Sequence, residues 1–542
     1  MVKSGKNKQV NVAQAISVVS QLYQQGRLSE IVAQESRLLK AFPKAPAIAL
    51  ILGAAHAGLG AIEAAMRQFH RAVKLNPLLT DGYNNLGVLL NDQNHIAPAV
   101  KCFARALMVS PGAAAGRYNL GLALQKTGAD AAAMRSYQYA LVADPLMQTA
   151  YYNLGNAHYR SGAFDAGIRS FQKRLLIQPG FFKAYNNLGS SFNDTGSVEP
   201  ALQQFDRALM LQPKDPETHH NRSLALLKKG DFATAWHVND WRWLRPGAHH
   251  LKPEFVHPEW APDTPYRRLL LWAEQGIGEE ILFASVIAEL RALCDQLIVL
   301  VDPRLAPLMA RSVPDDIVFR ARGDSVPASD YDAQISMVTA CKYLRCNRAQ
   351  IMAVPRGYLH ADPVQARRLR SAIFEAAGGQ VPIASGGKQI IGLSWRSVSP
   401  ETGAIKSMQL LDLVAALAHP KAVFVSLQYG DTQSERQQVK QATGQDVIDL
   451  AMIDNYQDLD GLAATIMACD KVVSIANITA DLAGALGQNV DVLLSRRTDW
   501  RWQLDSDHSI WYPSAQLYRR GTAASWQSTL DRLKADFWAA MD

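Results

Sequence analysis

Asparagine returns at Asn85, Asn119, Asn153, Asn187 and Asn221, each 34 residues after the last, while Ile51 holds the same place one step earlier. A carboxamide carries both a donor and an acceptor, so a row of them can grip the backbone of an extended peptide without reading its side chains. A second group with chemical potential is the loop Glu274–Glu280, EQGIGEE, which follows an apolar run and opens a helix. Its glycines permit tight turns, and the helix start presents free N–H groups to a polar ligand. It is neither a GxGxxG fingerprint nor a P-loop, since no Gly-Lys-Ser/Thr follows. Read alone, it is a Gly-rich turn with two acids favoured by the helix dipole. His249, His250 and His257 lack Cys or acidic partners at ligand spacing, so no zinc site is expected. Cys341 and Cys346 read as structural thiols, and no Ser/His/Asp or Cys/His nucleophile can be assembled.

The asparagines need a repeating frame, and the chain supplies one. Pro43, Pro77, Pro111, Pro145, Pro179 and Pro213 keep the same step of 34. Leu-Gly recurs at 52–53, 86–87, 120–121, 154–155 and 188–189. Small residues recur at Ala65, Ala99, Ala133, Gly167 and Ala201, and aromatics at Phe69, Phe103, Tyr137, Phe171 and Phe205. This is the tetratricopeptide pattern, in which small side chains let two helices approach and proline ends the second. Five good copies occupy about 46–215, with a degenerate copy on each side. The expected limits are a cap at 1–45 and a solenoid at 46–245. At about 100° per residue, positions four, seven, eight and eleven of each copy form one packing face. The asparagines stand at position six, nearly opposite, toward the concave side.

After Pro213 the period fades. Trp236, Trp241 and Trp243 within Asp231–Arg245 suggest a helix packing on something other than a repeat, and a connector follows at 246–265. Beyond it, strands are expected at Leu269–Ala273, Leu297–Val301, Ile317–Arg320 and Ala333–Met337, with a helix over Ile281–Cys294. After a break at Gly378–Lys388, strands are expected at Ile390–Trp395, Val423–Leu427, Val447–Leu450, Val472–Ile475 and Val490–Leu494. Helices are expected at Leu410–Leu417, Leu459–Ala468 and Thr479–Leu486. Alternating strands and helices imply parallel sheets. The expected architecture is therefore an α-solenoid followed by two Rossmann-like α/β halves, 266–380 and 388–542, the second ending in a helix. Such halves hold ligands beyond the carboxyl ends of their strands.

With 542 residues the chain is too long for one core, and 48% hydrophobic with 19% charged residues describes an ordinary folded protein. The 56 basic residues exceed the 49 acidic ones only mildly, and no Lys/Arg run stands out, so nucleic acid is not an expected partner. Five cysteines without a paired framework suggest a reducing compartment. No apolar stretch follows Met1–Val10 that could serve as a signal peptide or membrane span, and a cytoplasmic location is expected.

Five segments carry a family resemblance: WAEQGIGEEILFASV, SLQYG (Ser426–Gly430), SIANITADLAGALGQ (Ser474–Gln488), DWRW (Asp499–Trp502) and WYP (Trp511–Pro513). Over about 265–535 the chain resembles glycosyltransferase family 9, the ADP-heptose:lipopolysaccharide heptosyltransferases. The resemblance implies a GT-B fold and metal-independent sugar transfer from a nucleotide-sugar co-substrate, with no further cofactor. The family's QGxGD motif falls on Gln275–Glu279, making Glu279 the implied catalytic base, with Glu280 as its neighbour. The family's SVDTAxAHLAGALG motif falls on Ser474–Gly487. There Ala476 replaces Asp, Asn477 replaces Thr and Asp481 replaces His. The implied donor-binding residues are Arg396, Lys406, Gln428, Asn477, Ile478, Thr479 and Asp481. Arg396 and Lys406 would neutralise donor phosphates.

The asparagine array resembles the ladder of O-linked N-acetylglucosamine transferase, which implies a protein acceptor held by the repeats. The layout resembles that of flagellin glycosyltransferases with tetratricopeptide repeats. The leading expectation is transfer to Ser or Thr of a protein such as flagellin. The alternatives are a non-catalytic scaffold, suggested by Ala476 and Asp481, and a lipopolysaccharide-type heptosyltransferase.

Overall fold

The computed structural model describes residues 11–248, 252–274, 276–378, 387–399, 403–521 and 525–538. His249, His250 and Gln275 lie outside them. Two compact units emerge, Met1–Gly180 and Phe181–Asp542. The period of the sequence places the end of the solenoid at 245, whereas the contacts assign everything after Gly180 to the second unit.

In the first unit, helices Val12–Gln24, Leu28–Ala33 and Glu35–Ala41 precede four helix pairs. The pairs are Pro46–Gly58 with Ile62–Leu75, Thr80–Asp92 with Ile96–Val109, Ala114–Lys126 with Asp130–Ala143, and Gln148–Arg160 with Phe164–Ile177. What closes each pair is a glycine against a ring. A Cβ added at Gly53, Gly87, Gly121 or Gly155 would stand 2.5–2.6 Å from the ring of Phe69, Phe103, Tyr137 or Phe171. Only glycine lets the ring lie flat on the partner backbone. Those four rings are buried, each a burial of roughly 1.5–3 kcal/mol.

The second unit begins with another such pair, Phe182–Asp194 and Val198–Leu211, joined by Gly189 against Phe205. Pro216–Lys229 follows, capped by the Asp215 carboxylate accepting from Thr218 N at 2.9 Å. Helix Phe232–Val238 and the 3-10 turn Asn239–Leu244 complete the helical part. The sequence marks three tryptophans here as packing on something other than a repeat, and two of them do. Trp236 is buried and donates to Arg345 O at 2.9 Å, and Trp243 lies 5.8 Å from Trp272. Trp241 instead stacks on His219 at 4.0 Å.

Among the described residues, ten strands then form two sheets in which every strand pair is parallel. The first contains β1 (Arg268–Trp272), β2 (Gln296–Val301), β3 (Val318–Ala321) and β4 (Ala333–Ser336), in the order β3-β2-β1-β4. The second contains β5 (Gln389–Ser394), β6 (Ala422–Ser426), β7 (Val447–Ile448), β8 (Lys471–Ile475), β9 (Val490–Leu494) and β10 (Ala515–Arg519). Its order is β10-β9-β8-β5-β6-β7, the doubly wound order with its reversal between β5 and β8. Both faces of this sheet are covered. Ile390 of β5 enters one core while Ile391 and Leu393 enter the other, which also holds Leu413, Leu417 and Leu533 from flanking helices. The helix expected over Ile281–Cys294 is broken into Ile277–Phe283, a 3-10 turn at Ala284–Val286, and Ile287–Arg291.

Candidate functional site

A cavity of about 530 Å³ opens where the order of the second sheet reverses. Ser397–Ser399 reach it from the carboxyl end of β5, and Ala476–Ile478 from that of β8. The first sheet contributes Gly276 and the first turn of the helix that follows β1, Ile277–Glu279. Two glycines shape that turn. Gly276 has φ +72°, and a Cβ on Gly278 would meet Asp481 Oδ2 at 2.7 Å.

Arg501 is the hub of the cavity's charge. Its Nη1 donates to Asp481 Oδ1 and its Nε to Asp499 Oδ1, both at 3.2 Å, and its Nη2 stands 3.8 Å from Glu279 Oε1. The Tyr512 hydroxyl donates to the same Asp481 oxygen at 3.2 Å. Arg501 and Asp481 are buried, whereas the Glu279 side chain is 42% exposed toward the opening. The surrounding protein still pushes the Glu279 carboxyl up to about 7, through desolvation first and through Asp499, Glu274 and Asp481, against the pull of Arg501. Burial also raises Asp481, against Arg501. For Asp499, burial is outweighed by Arg501 and Lys406, which hold it below the usual carboxylate range. Burial lowers the Lys406 ammonium, with Asp499 opposing.

The residues singled out in the sequence divide in two. Glu279, Lys406, Asn477, Ile478 and Asp481 line the cavity together. Asn477 caps helix Ile478–Ala485, accepting from Thr479 N at 3.0 Å and donating to Ser394 Oγ at 2.8 Å. The others do not line it. Thr479 is buried beneath. The Arg396 guanidinium turns to Glu435, 3.4 Å away, and to the Asp431 carbonyl. Gln428 is a buried clamp whose Oε1 accepts from Trp395 N at 3.0 Å and Arg396 N at 2.9 Å, fixing the loop after β5. Glu280 faces away, paired with Arg322 and accepting from Asp302 N at 2.8 Å. The sequence reading missed Arg501 and Asp499 as site residues, although the DWRW motif contains both. It also missed Tyr429, although the SLQYG motif contains it, and Tyr456, which lines the cavity without a motif to mark it.

Glu279 borders a second cavity too, of about 180 Å³, beyond β1 and β4 where the order of the first sheet reverses. Its other wall comes from the last repeat helix through His220, Leu224 and Leu227. At its base Arg242 forms a bidentate pair with Glu274 and also donates to Thr339 Oγ1 at 3.1 Å.

Three of the five asparagines tie one repeat to the repeat before it. In the first unit Asn119 Nδ2 donates to Asn84 Oδ1 and Asn153 Nδ2 to the Tyr118 hydroxyl, both at 2.9 Å. In the second, Asn221 Nδ2 donates to Asn186 Oδ1 at 3.1 Å, and Asn187 Oδ1 accepts from Asn186 Nδ2 at 3.3 Å. Asn85 is half-buried. At Asn119, Asn153 and Asn221, position six of one repeat thus bonds position five of the repeat before it.

Among the described residues, no group of three or more His, Cys, Asp or Glu is placed to hold a metal, and no helix is long and apolar enough to cross a membrane.

Residues 152–217 match the tetratricopeptide repeat family model, and residues 65–178 match that of the Est1 DNA/RNA binding domain, a span made here of helix pairs. Over 335 residues the chain is 28% identical to Protein FlbA of Caulobacter vibrioides, covering 58% of this chain and 53% of that protein. The chain therefore spans about half the length of that curated relative. Among solved structures, MamA from Desulfovibrio magneticus RS-1 is 21% identical with a TM-score of 0.30, covering 31% of this chain and 95% of that one. YrrB, described as a TPR protein with an unusual peptide-binding site, is 20% identical with a TM-score of 0.32, covering 35% and 97%. The chain is a helical solenoid with tetratricopeptide repeats, followed by a region of two parallel sheets.

Proposed function

We propose that the protein is a metal-independent glycosyltransferase of GT-B type that moves a sugar from a nucleotide-sugar donor to Ser or Thr of a protein acceptor. The observation that carries this reading is the place of Glu279. Its carboxyl, poised near pH 7, stands between a cavity at the reversal of one sheet and a cavity at the reversal of the other. Reversal points are where open α/β sheets bind ligands. In this reading the donor occupies the larger cavity, with Lys406 and Arg501 offsetting phosphate charge. The acceptor hydroxyl passes its proton to Glu279 as its oxygen attacks the anomeric carbon. The bond from that carbon to the phosphate oxygen breaks, and the nucleotide leaves with the electron pair.

Flagellin is the leading acceptor by resemblance, and flagellin from cells lacking this protein is the substrate to test. Glu279→Gln should lower transfer by ~10²–10⁴ while leaving nucleotide-sugar affinity nearly unchanged. Full transfer by this variant removes Glu279 from the mechanism. A scaffold without activity is the second reading, favoured by Asp481, whose carboxylate is committed to Arg501 and Tyr512. Absence of nucleotide-sugar binding by the wild type would decide for it.

A further inference from the structure

The excess positive charge of the chain belongs to its first unit. Residues 1–180 hold 19 basic and 8 acidic residues, whereas residues 181–542 hold 37 and 41. Within that unit the cations stand in rows. The second helix of each of its four pairs presents three positions spaced i, i+4 and i+7, which share one helix face. The first row is Arg67, Lys101, Arg135 and Arg169, all exposed, and the second is Arg71, Arg105, Tyr139 and Lys173. The third begins with Lys74 and continues as Met108, Val142 and Leu176, which are 72–80% exposed. Of these twelve positions eight are basic and none is acidic. Leu78 and Leu146, in turns just beyond two of the helices, are exposed as well and extend the apolar edge.

Stacking of the repeats does not account for these rows. The same helices turn Phe69, Phe103, Tyr137 and Phe171 inward, so the rows occupy the side that packing leaves open. Like charges repeated along one face repel one another, and aliphatic side chains held in water add nothing to the fold. The charge calls for an anionic partner, and the apolar row decides which kind. A nucleic-acid backbone offers phosphates but no apolar surface for protruding aliphatics. A folded protein would need a pocket for each of them at every repeat step. A bilayer interface takes aliphatic side chains one by one and draws Lys and Arg to its phosphates, as it does for interfacial helices with a basic and an apolar face.

We propose that this face of the first unit lies on an anionic membrane surface. The cations stand at the level of the lipid phosphates, and Met108, Val142 and Leu176 enter the interface beside them. Each Lys or Arg near such a surface strengthens attachment by about fivefold, and screening of the charges makes attachment reversible by salt. The proposal is independent of the transfer reading, because none of its residues lines the candidate site. It uses the second helix of each pair and leaves the first helices, which carry the asparagines, to other contacts.

Flotation of the full-length protein tests it, with vesicles of phosphatidylcholine alone or with about a third phosphatidylglycerol. Wild type should float with the anionic vesicles only and be released at about 0.5 M salt. Lys101→Gln, Arg135→Gln and Arg169→Gln together should weaken attachment by about a hundredfold, three steps of about fivefold. Met108→Gln, Val142→Gln and Leu176→Gln together keep every charge and should weaken it by at least about tenfold. All of these positions are exposed, so both variants should melt near wild type. Polyglutamate and a single-stranded oligonucleotide stand in for an acidic protein and a nucleic acid. No attachment by wild type, or wild-type attachment by either variant, overturns the proposal. So does tighter binding of either polyanion than of the anionic vesicles, which would assign the rows to that partner.

Discussion

The Gln503 side chain donates to the Leu227 carbonyl at 3.0 Å, tying the segment that carries Asp499 and Arg501 to the end of the last repeat helix. The same amide donates to Trp500 O at 2.7 Å, and Gln503 holds φ +45°, a left-handed conformation that costs an L-residue energy. Two further contacts fasten this segment and the helix end. Arg497 pairs with Asp194 at 2.9 Å, and Lys228 donates to Asn193 O at 2.8 Å. The position of Arg501 in the cavity therefore depends on residues of the repeats.

Gln503→Ala should remove both bonds of the amide, a combined loss of about 1–3 kcal/mol, while each carbonyl keeps a backbone donor, Gly230 N for Leu227 and Gln503 N for Trp500. Nucleoside diphosphate affinity should weaken with it, since Arg501 loses its support. Lys406→Ala should weaken the same affinity without lowering the melting temperature. Calorimetric titration beside thermal melting separates the two effects. Unchanged affinity in Gln503→Ala would mean that the segment holds its place without the repeats.

The asparagine rungs predict a cost in stability that concave, half-exposed positions would not suggest. Asn119→Ala and Asn153→Ala should each lower stability by about 1 kcal/mol, because each leaves Asn84 or Tyr118 without its donor. Denaturant unfolding of the full chain measures it. Asn85→Ala serves as the comparison and should cost less if it carries no equivalent rung.

Gly121→Ala should destabilise by about 1–3 kcal/mol, since the added methyl meets the Tyr137 ring at 2.5 Å. Tyr137→Leu made in the same chain should recover part of that loss, as a smaller side chain makes room for the methyl. A double-mutant cycle on unfolding free energies checks the coupling. Simple additivity of the two losses would show that the glycine serves something other than the ring.

The repeats were legible because every copy solves the same packing problem with the same residues, so Gly155 and Phe171 announce themselves through Gly121 and Tyr137. The strands of the sheets were legible as apolar runs, except β10, whose five residues Ala515–Arg519 alternate weakly and end in charge. The site was legible only where local sequence decides a side chain's direction. Asn477 caps a helix that its own neighbours define. Arg396 follows a strand as a phosphate ligand would, yet Glu435, far along the chain, turns its guanidinium aside. The Arg501 network joins Glu279 and Asp481 from two separate helices and Asp499 from the segment of Arg501 itself, which no spacing in the sequence records.

The pH response of Glu279 can be tested without knowing donor or acceptor. Its carboxyl titrates near 4.5 when solvated and is pushed up to about 7 in the fold, chiefly by desolvation. A carboxyl raised by folding favours the protonated form, so its contribution to stability is fully present below pH 4.5 and is lost as pH rises through about 7. Glu279→Gln mimics the protonated group at every pH. The melting temperature of the variant minus that of wild type should therefore be small below pH 4.5, grow between there and pH 7, and level off above. Because the side chain is partly open to water, the rise should be modest. Transfer should run in the same window, with the rate climbing as the carboxyl loses its proton and reaching a plateau above pH 7. A melting difference flat across that range would show that Glu279 titrates as an ordinary surface acid, and would take from it the property that suits a base at neutral pH.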